Sequence, residues 1–142
     1  MRALLAFAIA AAPTLAMSTD LSVGQTLACT SKNSAKQLYA VVGKIDAIGS
    51  HTSVSITLRN LAPGAVPPLI DHLPVDLTAL TASCTPTAKS QLPLGEHFEE
   101  GYARWRSAVD AHQAGAFTVT VDEIDEMIRT QIYSAQHRGT GS

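Results

Sequence analysis

Strict alternation of apolar and polar side chains marks residues 53–59 as a β-strand. Val54, Ile56 and Leu58 alternate with hydroxyl-bearing residues and Arg59. Successive side chains of a strand point to opposite sides of a sheet, so a period of two gives one apolar and one polar face. We therefore predict an amphipathic strand whose apolar face lies toward a core.

A second alternating run precedes the first, at residues 38–48. The intervening Gly-Ser-His at 49–51 is typical of a hairpin turn. Lys44 and Asp46 are predicted on one face of this strand. The opposite face is predicted from the alternate positions Tyr39, Val41, Gly43, Ile45 and Ala47. A short strand at residues 26–30 would extend the same sheet.

Prolines interrupt the pattern between residues 61 and 75, at positions 63, 67, 68 and 74. Because proline cannot donate a backbone hydrogen bond, we predict a connection without regular structure here. Asp76 then suits the N-cap of a short helix, in which Leu77, Leu80 and Cys84 share a face. A strand is the alternative for this stretch.

Helical spacing replaces alternation in the second half of the chain. Residues 96–114 predict a helix, with Gly115 as its C-terminal cap. The apolar stripe of this helix has spacings of four, three and four: Phe98, Tyr102, Trp105 and Val109. Thr120 and Glu123 have the spacing of a capping box, which begins a second helix that we expect to reach Tyr133.

Strands that precede helices, without β-α-β alternation, predict the α+β class. We expect a small antiparallel β-sheet, in the N-terminal half of the mature chain, packed against two C-terminal helices. The predicted boundaries are 1–16 for a signal peptide, 17–133 for a single globular domain and 134–142 for a flexible C-terminal tail.

The first sixteen residues predict export from a bacterial cell. Arg2 is followed by an uncharged run of alanine and leucine, which is shorter than the roughly 20 apolar residues of a membrane-spanning helix. Small residues follow, as in a secretory signal peptide. We expect cleavage after Ala16 or Ser18, a periplasmic or secreted location, and no membrane insertion after cleavage.

The charge balance excludes one class of partner. The chain has 10 Lys plus Arg and 12 Asp plus Glu, so its formal net charge is −2. Cleavage removes Arg2 and no acidic residue, which makes the mature chain one unit more negative. Binding to nucleic acid needs a basic surface that neutralises phosphates, so we expect no nucleic-acid partner.

Cys29 and Cys84 are the only cysteines, so only one intramolecular disulfide can form. An oxidising compartment favours that bond in a small exported domain. Neither cysteine has an adjacent histidine or a C-x-x-C partner. We therefore predict a disulfide rather than a catalytic thiol.

Patterns typical of metal binding or catalysis are absent from the sequence. His97 and Glu100 share a predicted helical face, and Asp71 and His72 could approach it, but the chain contains no H-E-x-x-H, no H-x-H and no cysteine cluster. It also contains no G-x-S-x-G turn. We predict no metal, no cofactor and no assigned catalytic residue.

The remaining candidates suit binding. Asp71 and His72 lie in a proline-restrained segment that we predict as a turn, and binding residues are common on such loops. Arg104 and Arg106 flank Trp105, and Trp and Arg are frequent in interface hot spots. We expect Trp105 itself to be buried against the sheet, with an exposed recognition surface as the alternative.

The sequence favours a secreted or periplasmic, non-catalytic domain that binds a protein or a small ligand as an accessory or inhibitor protein. The alternative is a small extracytoplasmic hydrolase in which His72 or His97 acts with neighbouring carboxylates.

Overall fold

A computed structural model describes residues 21–87 and 91–138. In chain order its elements are β1 (Thr26–Cys29), β2 (Leu38–Ile48), β3 (His51–Asn60), β4 (Leu69–Asp76), α1 (Leu77–Ser83), β5 (Cys84–Pro86), α2 (Phe98–Asp110) and α3 (Val121–Arg138). The strands form one antiparallel sheet in the order β4-β3-β2-β1-β5. The predicted α+β class is confirmed. The predicted signal peptide and its cleavage sites lie outside the described residues.

The apolar face of the sheet forms the main core. Val54, Ile56 and Leu58 of β3 are buried on this face, as the alternation predicts. Leu80 of α1 and Ile124 of α3 are fully buried in the same cluster. Two helices, one before and one after α2 in the chain, therefore cover this side of the sheet.

The opposite face of the sheet is polar but is also buried, because α2 and its flanking segments cover it. Ser53, Ser55 and Thr57 of β3 are each at most 2% exposed. The ring of Phe98 lies directly over Gly43 of β2, where a side chain would collide with it. The small hydroxyl-bearing side chains and the glycine thus let α2 approach the sheet closely.

β4 overturns the prediction that residues 61–75 lack regular structure. Residues 69–76 pair antiparallel with β3 at the edge of the sheet. The carbonyl of Pro74 accepts a hydrogen bond from the backbone N–H of Phe117, at 2.8 Å, on the side away from β3. The nitrogen of Pro74 faces that side too, so its missing N–H breaks no bond to β3. Asp71 and His72 therefore lie on a strand, not in the predicted turn.

The predicted facing of β2 is correct only as far as Gly43. A β-bulge at this residue adds one position to β2 relative to β3, which exchanges the two faces for all later residues. Lys44 and Asp46 consequently face α2, where both contact Tyr102. Ile45 points to the other side and is 41% exposed.

α1 begins as predicted, because the Asp76 carboxylate accepts a hydrogen bond from the Thr78 backbone N–H at 3.1 Å. α2 is shorter than the predicted 96–114. It ends at Asp110, and His112 rather than Gly115 adopts a left-handed backbone conformation after it, with φ of 59°. The predicted C-terminal cap at Gly115 is therefore wrong.

α3 confirms the predicted capping box. The Thr120 hydroxyl lies 2.9 Å from Glu123 Oε1, and the Glu123 backbone N–H donates to that hydroxyl at 3.2 Å. The helix continues five residues beyond the predicted end at Tyr133, to Arg138, and residues 139–142 lie outside the described part of the chain. No helix in the described ranges is long and apolar enough to cross a lipid bilayer.

The predicted disulfide joins Cys29 to Cys84. Cys84 immediately follows α1 and is the first residue of β5, where it is the direct cross-strand partner of Cys29. The bond therefore ties β1 to its neighbour in the sheet and closes a loop with a sequence separation of 55.

Buried charges attach α3 to two loops. The Lys36 ammonium lies 3.0 Å from Asp122, 2.9 Å from Asp125 and also against Glu126. Burial by itself would lower the pKa of Lys36, but its hydrogen bonds to these three carboxylates raise it. Arg129 donates to Asp125 at 2.8 Å and to two backbone carbonyls of the loop before β4. This network fixes the position of α3 over the sheet.

Candidate functional site

A pocket of about 540 Å³ lies between β4 and α2. β4 contributes Ile70, Asp71 and His72 to its wall, and α2 contributes Arg104 and Trp105 among others. The volume falls within the roughly 300–1,000 Å³ that is usual for small-molecule sites. This pocket is the candidate functional site.

The pocket brings together three of the four predicted binding residues, namely Asp71, His72 and Arg104. Arg106 does not line it. Its guanidinium lies 3.7 Å from the Asp46 carboxylate instead, on another side of α2. The helical turn separates the two arginines, since positions two apart on a helix do not face the same way.

His97 also lines the pocket, together with Glu100. The sequence offers both as candidates for metal binding or catalysis. His112, which follows α2, does not line the pocket. His72, His97 and His112 therefore do not all converge there. Across the described residues, no group of three or more His, Cys, Asp or Glu side chains is arranged to hold a metal ion.

A second β-bulge places Asp71 and His72 on the same side of the sheet. The pairing of β3 with β4 shifts by one position here, so both residues lie opposite Thr57. In a regular strand, neighbouring side chains would point to opposite faces. The shift turns the two polar residues together toward α2. The sequence does not reveal this bulge, because the pattern of apolar and polar residues in β4 gives no sign of the extra residue.

His72 forms the floor of the pocket. Its ring lies 5.5 to 6.0 Å, between ring centroids, from the rings of Phe98, Tyr102 and Trp105. Its Nε2 atom lies 2.9 Å from the hydroxyl of Ser55. Burial lowers the pKa of His72, so the imidazole is neutral near pH 7. The floor is therefore aromatic and uncharged.

The contact between His72 and Ser55 has the residue types of a base and a nucleophile, but its position does not suit catalysis. Ser55 is fully buried, does not line the pocket, and has its hydroxyl already paired with the His72 ring. The neighbouring Asp71 carboxylate accepts the His97 backbone N–H at 3.1 Å. A catalytic triad would need an accessible nucleophile and a carboxylate that orients the base. Ser55 and His72 are therefore not arranged as a nucleophile and its base for a molecule in this pocket.

Asp71 anchors the chain that leads into α2. Besides the bond to His97, its backbone carbonyl accepts the Thr57 hydroxyl at 2.8 Å. The same hydroxyl accepts the Gly95 backbone N–H at 2.9 Å. Gly95 packs so closely on Asp71 that a side chain at residue 95 would collide with it. These contacts hold one end of the pocket rigid.

The rim of the pocket carries exposed charges. Arg104 donates to the Glu100 carboxylate at 3.0 Å, and a ring nitrogen of His97 lies 3.5 Å from the same carboxylate. All three side chains are more than 60% exposed. Exposed ion pairs contribute about 0–1 kcal/mol to stability, so these groups can exchange partners for a ligand at little cost.

Trp105 belongs to both the core and the pocket wall. It is only 9% exposed, which confirms the prediction of a buried Trp. Its indole N–H donates to the carbonyl of Gly115 at 3.0 Å. This bond fixes the ring against the loop that follows α2, so the aromatic wall of the pocket is rigid.

Comparison of the chain with protein-family models, with curated proteins and with solved structures gave no match. The geometry of the pocket is therefore the basis for any functional conclusion.

Proposed function

We propose that this chain is an exported, non-catalytic binding domain, an accessory or inhibitor protein whose ligand enters the pocket between β4 and α2. The observation that carries the proposal is the convergence of Asp71, His72 and Arg104 beside Trp105 in one pocket. The floor is rigid and aromatic, whereas the charged rim has no structural role that a ligand would disturb. That combination is typical of binding sites, which are mostly apolar with a few orienting polar groups.

Two observations support the extracytoplasmic location. The N-terminal segment has the basic start, the short apolar run and the small residues of a secretory signal peptide. The two cysteines of the chain form a disulfide, a bond that persists mainly in oxidising compartments.

The pocket favours a ligand with a flat or apolar body and a charged end. The body would lie on the rings of His72 and Trp105, which bear no charge. An anionic end would draw the Arg104 guanidinium away from Glu100, because arginine binds carboxylates through two parallel hydrogen bonds. The ligand is a small molecule or a side chain of a partner protein.

Two matched arginine variants test this proposal. Arg104 and Arg106 lie on the same helix, and each pairs with a carboxylate four residues away, Glu100 or Asp110. Only Arg104 lines the pocket. We therefore expect Arg104→Ala and Arg106→Ala to have similar stability, and only Arg104→Ala to lose the ligand.

The assay is affinity capture from a bacterial envelope extract with the wild-type chain and both variants, followed by mass spectrometry of retained molecules. The proposal predicts a molecule that the wild type and Arg106→Ala retain and that Arg104→Ala loses. Retention by Arg104→Ala together with loss by Arg106→Ala would place the binding surface on the other side of α2. Turnover of the retained molecule by the wild type would contradict the non-catalytic assignment.

A further inference from the structure

A second, smaller cavity lies at the other end of β3 and β4. Its volume is about 160 Å³, and its walls include His51, Ser53, Asp76 and Gly115. It is bounded by the start of β3, by the end of β4 and by the segment that precedes α3. The residues of this cavity are distinct from those of the pocket between β4 and α2.

Ser53 gives this cavity its first unusual feature. The residue is 2% exposed, and its hydroxyl has no hydrogen-bond partner among the described residues. Most buried side-chain polar atoms in proteins are hydrogen-bonded, because burying an unpaired one costs free energy. An unpaired hydroxyl in the wall of a cavity is available to a polar group that enters the cavity.

Asp76 supplies a second acceptor. Its Oδ2 atom accepts the Thr78 backbone N–H and thereby caps α1. Its Oδ1 atom makes no hydrogen bond within the described residues; it lies 3.6 Å from Nδ1 of His51, an exposed side chain that forms an ion pair with it only when protonated. The cavity therefore offers one carboxylate oxygen and one hydroxyl to a hydrogen-bond donor, and no Lys or Arg lines it.

We propose that this cavity binds the ammonium group of a primary amine that carries a short alkyl chain. An ammonium group is a compact donor of three hydrogen bonds with a positive charge, which matches a hydroxyl beside a carboxylate. The volume equals about five water molecules at roughly 30 Å³ each, so it admits a chain of about four carbons. Either a free alkylamine or the end of a lysine side chain has this chemistry.

The test titrates the full chain with n-butylammonium chloride and follows the backbone amide signals of Ser53, Asp76 and Gly115 by NMR. We expect saturable shifts of these signals. Tetramethylammonium chloride has the same charge but no N–H donor, and potassium chloride supplies a bare cation, so neither should cause them. Nα-acetyl-lysine amide distinguishes the two sources, because it binds only if the cavity admits a lysine side chain from a partner.

Two variants remove one acceptor each. Ser53→Ala deletes the unpaired hydroxyl, and Asp76→Asn removes the charge while it keeps a good helix-capping side chain. Each should weaken butylammonium binding about tenfold or more, as expected for the loss of a hydrogen bond to a charged group. Asp110→Asn, an exposed carboxylate on α2, is the matched control and should bind as the wild type does.

Three results would overturn the proposal. The absence of saturable shifts would mean that the cavity holds only water. An equal response to potassium or tetramethylammonium would mean that charge alone is recognised. Unchanged affinity in both Ser53→Ala and Asp76→Asn would place the bound amine elsewhere.

Discussion

The Gly43→Ala variant tests whether the absence of a side chain at residue 43 is what allows α2 to lie so close to the sheet. A Cβ atom at this position would lie 2.7 and 2.8 Å from Cε1 and Cε2 of Phe98, and closer still to Cζ. Favourable carbon–carbon contacts begin near 3.5 Å, so the ring would have to retreat by about 0.8 Å or more. Phe98 is 1% exposed and stacks on Tyr102, which leaves its ring little room to move.

We expect Gly43→Ala to cost about 3 kcal/mol of unfolding free energy. Overpacking of a filled core usually costs about 1–3 kcal/mol, and the upper end applies because the obstructing group is a buried ring rather than a flexible chain end. For a domain of this size, each kcal/mol corresponds to roughly 3–6 °C in melting temperature. The melting temperature should therefore fall by about 9–18 °C.

Urea unfolding followed by far-UV circular dichroism measures this loss. Gly115→Ala is the control, because nothing lies within 4 Å of a Cβ atom at that glycine. Phe98→Leu shortens the obstructing ring, so the double variant should be more stable than the sum of the single effects by about 1–2 kcal/mol. Two results would contradict the close approach of α2 to Gly43. One is that Gly43→Ala unfolds at the same urea concentration as Gly115→Ala, and the other is that the effects of Gly43→Ala and Phe98→Leu are additive.

Trp105→Ala should lose about 3–5 kcal/mol of stability, since it removes a buried indole. The wild type should show blue-shifted Trp emission, and a water-like emission maximum would contradict the burial of Trp105. Because burial lowers the pKa of His72, the unfolded chain binds more protons below about pH 6.5, so stability should fall as the pH drops from 7 toward 5. His72→Gln should flatten that slope and His97→Gln should leave it, as melting curves at several pH values would show; equal slopes in both variants would exclude His72 as the cause. Reduction of the Cys29–Cys84 bond should cost about 2–4 kcal/mol, given the 55-residue separation, and two free thiols titrated in non-reduced protein would contradict the bond.

Features that depend on neighbouring residues in the chain could be predicted from the sequence. The alternation of β3, the Asp76 cap of α1 and the capping box of Thr120 and Glu123 all appear in the structure where the local pattern places them. Each of these features is set by contacts within one strand or one helical turn. The burial of Trp105 could be predicted from the apolar stripe of α2, although α2 covers the polar face of the sheet rather than the apolar face that we expected it to cover.

Features that depend on partners distant in the chain could not be predicted. Pro74 reads as a strand breaker unless its nitrogen faces the open edge of a sheet, and only the order of the strands reveals that edge. The bulge at Gly43 likewise depends on how β2 pairs with β3. The facing of every later residue in β2 follows from that pairing.

In the candidate site, too, some features follow from neighbouring residues in the chain and others from partners distant in the chain. The prolines around Asp71 and His72 single out these two residues in the sequence, yet it is a bulge in a strand that brings them together. The burial of Ser53 could not be predicted from the sequence, because it results from α2 and the segment after it. A row of three small hydroxyl-bearing residues on one strand face was the available signal, since such residues let a helix approach closely.

The disulfide divides the chain into a closed ring and two open arms. The ring runs from Cys29 to Cys84 and contains β2, β3, β4 and α1, whereas α2 and α3 lie beyond it on the C-terminal arm. A pulling force on the two ends, as from a protease that threads its substrate, would be carried from Cys29 to Cys84 by the disulfide bond. The segment between the two cysteines, about 190 Å long when fully extended, would then not be stretched. The pocket between β4 and α2 joins a wall inside the ring to a wall outside it. Force on the ends would therefore peel away one wall of the pocket while the other wall carries no load.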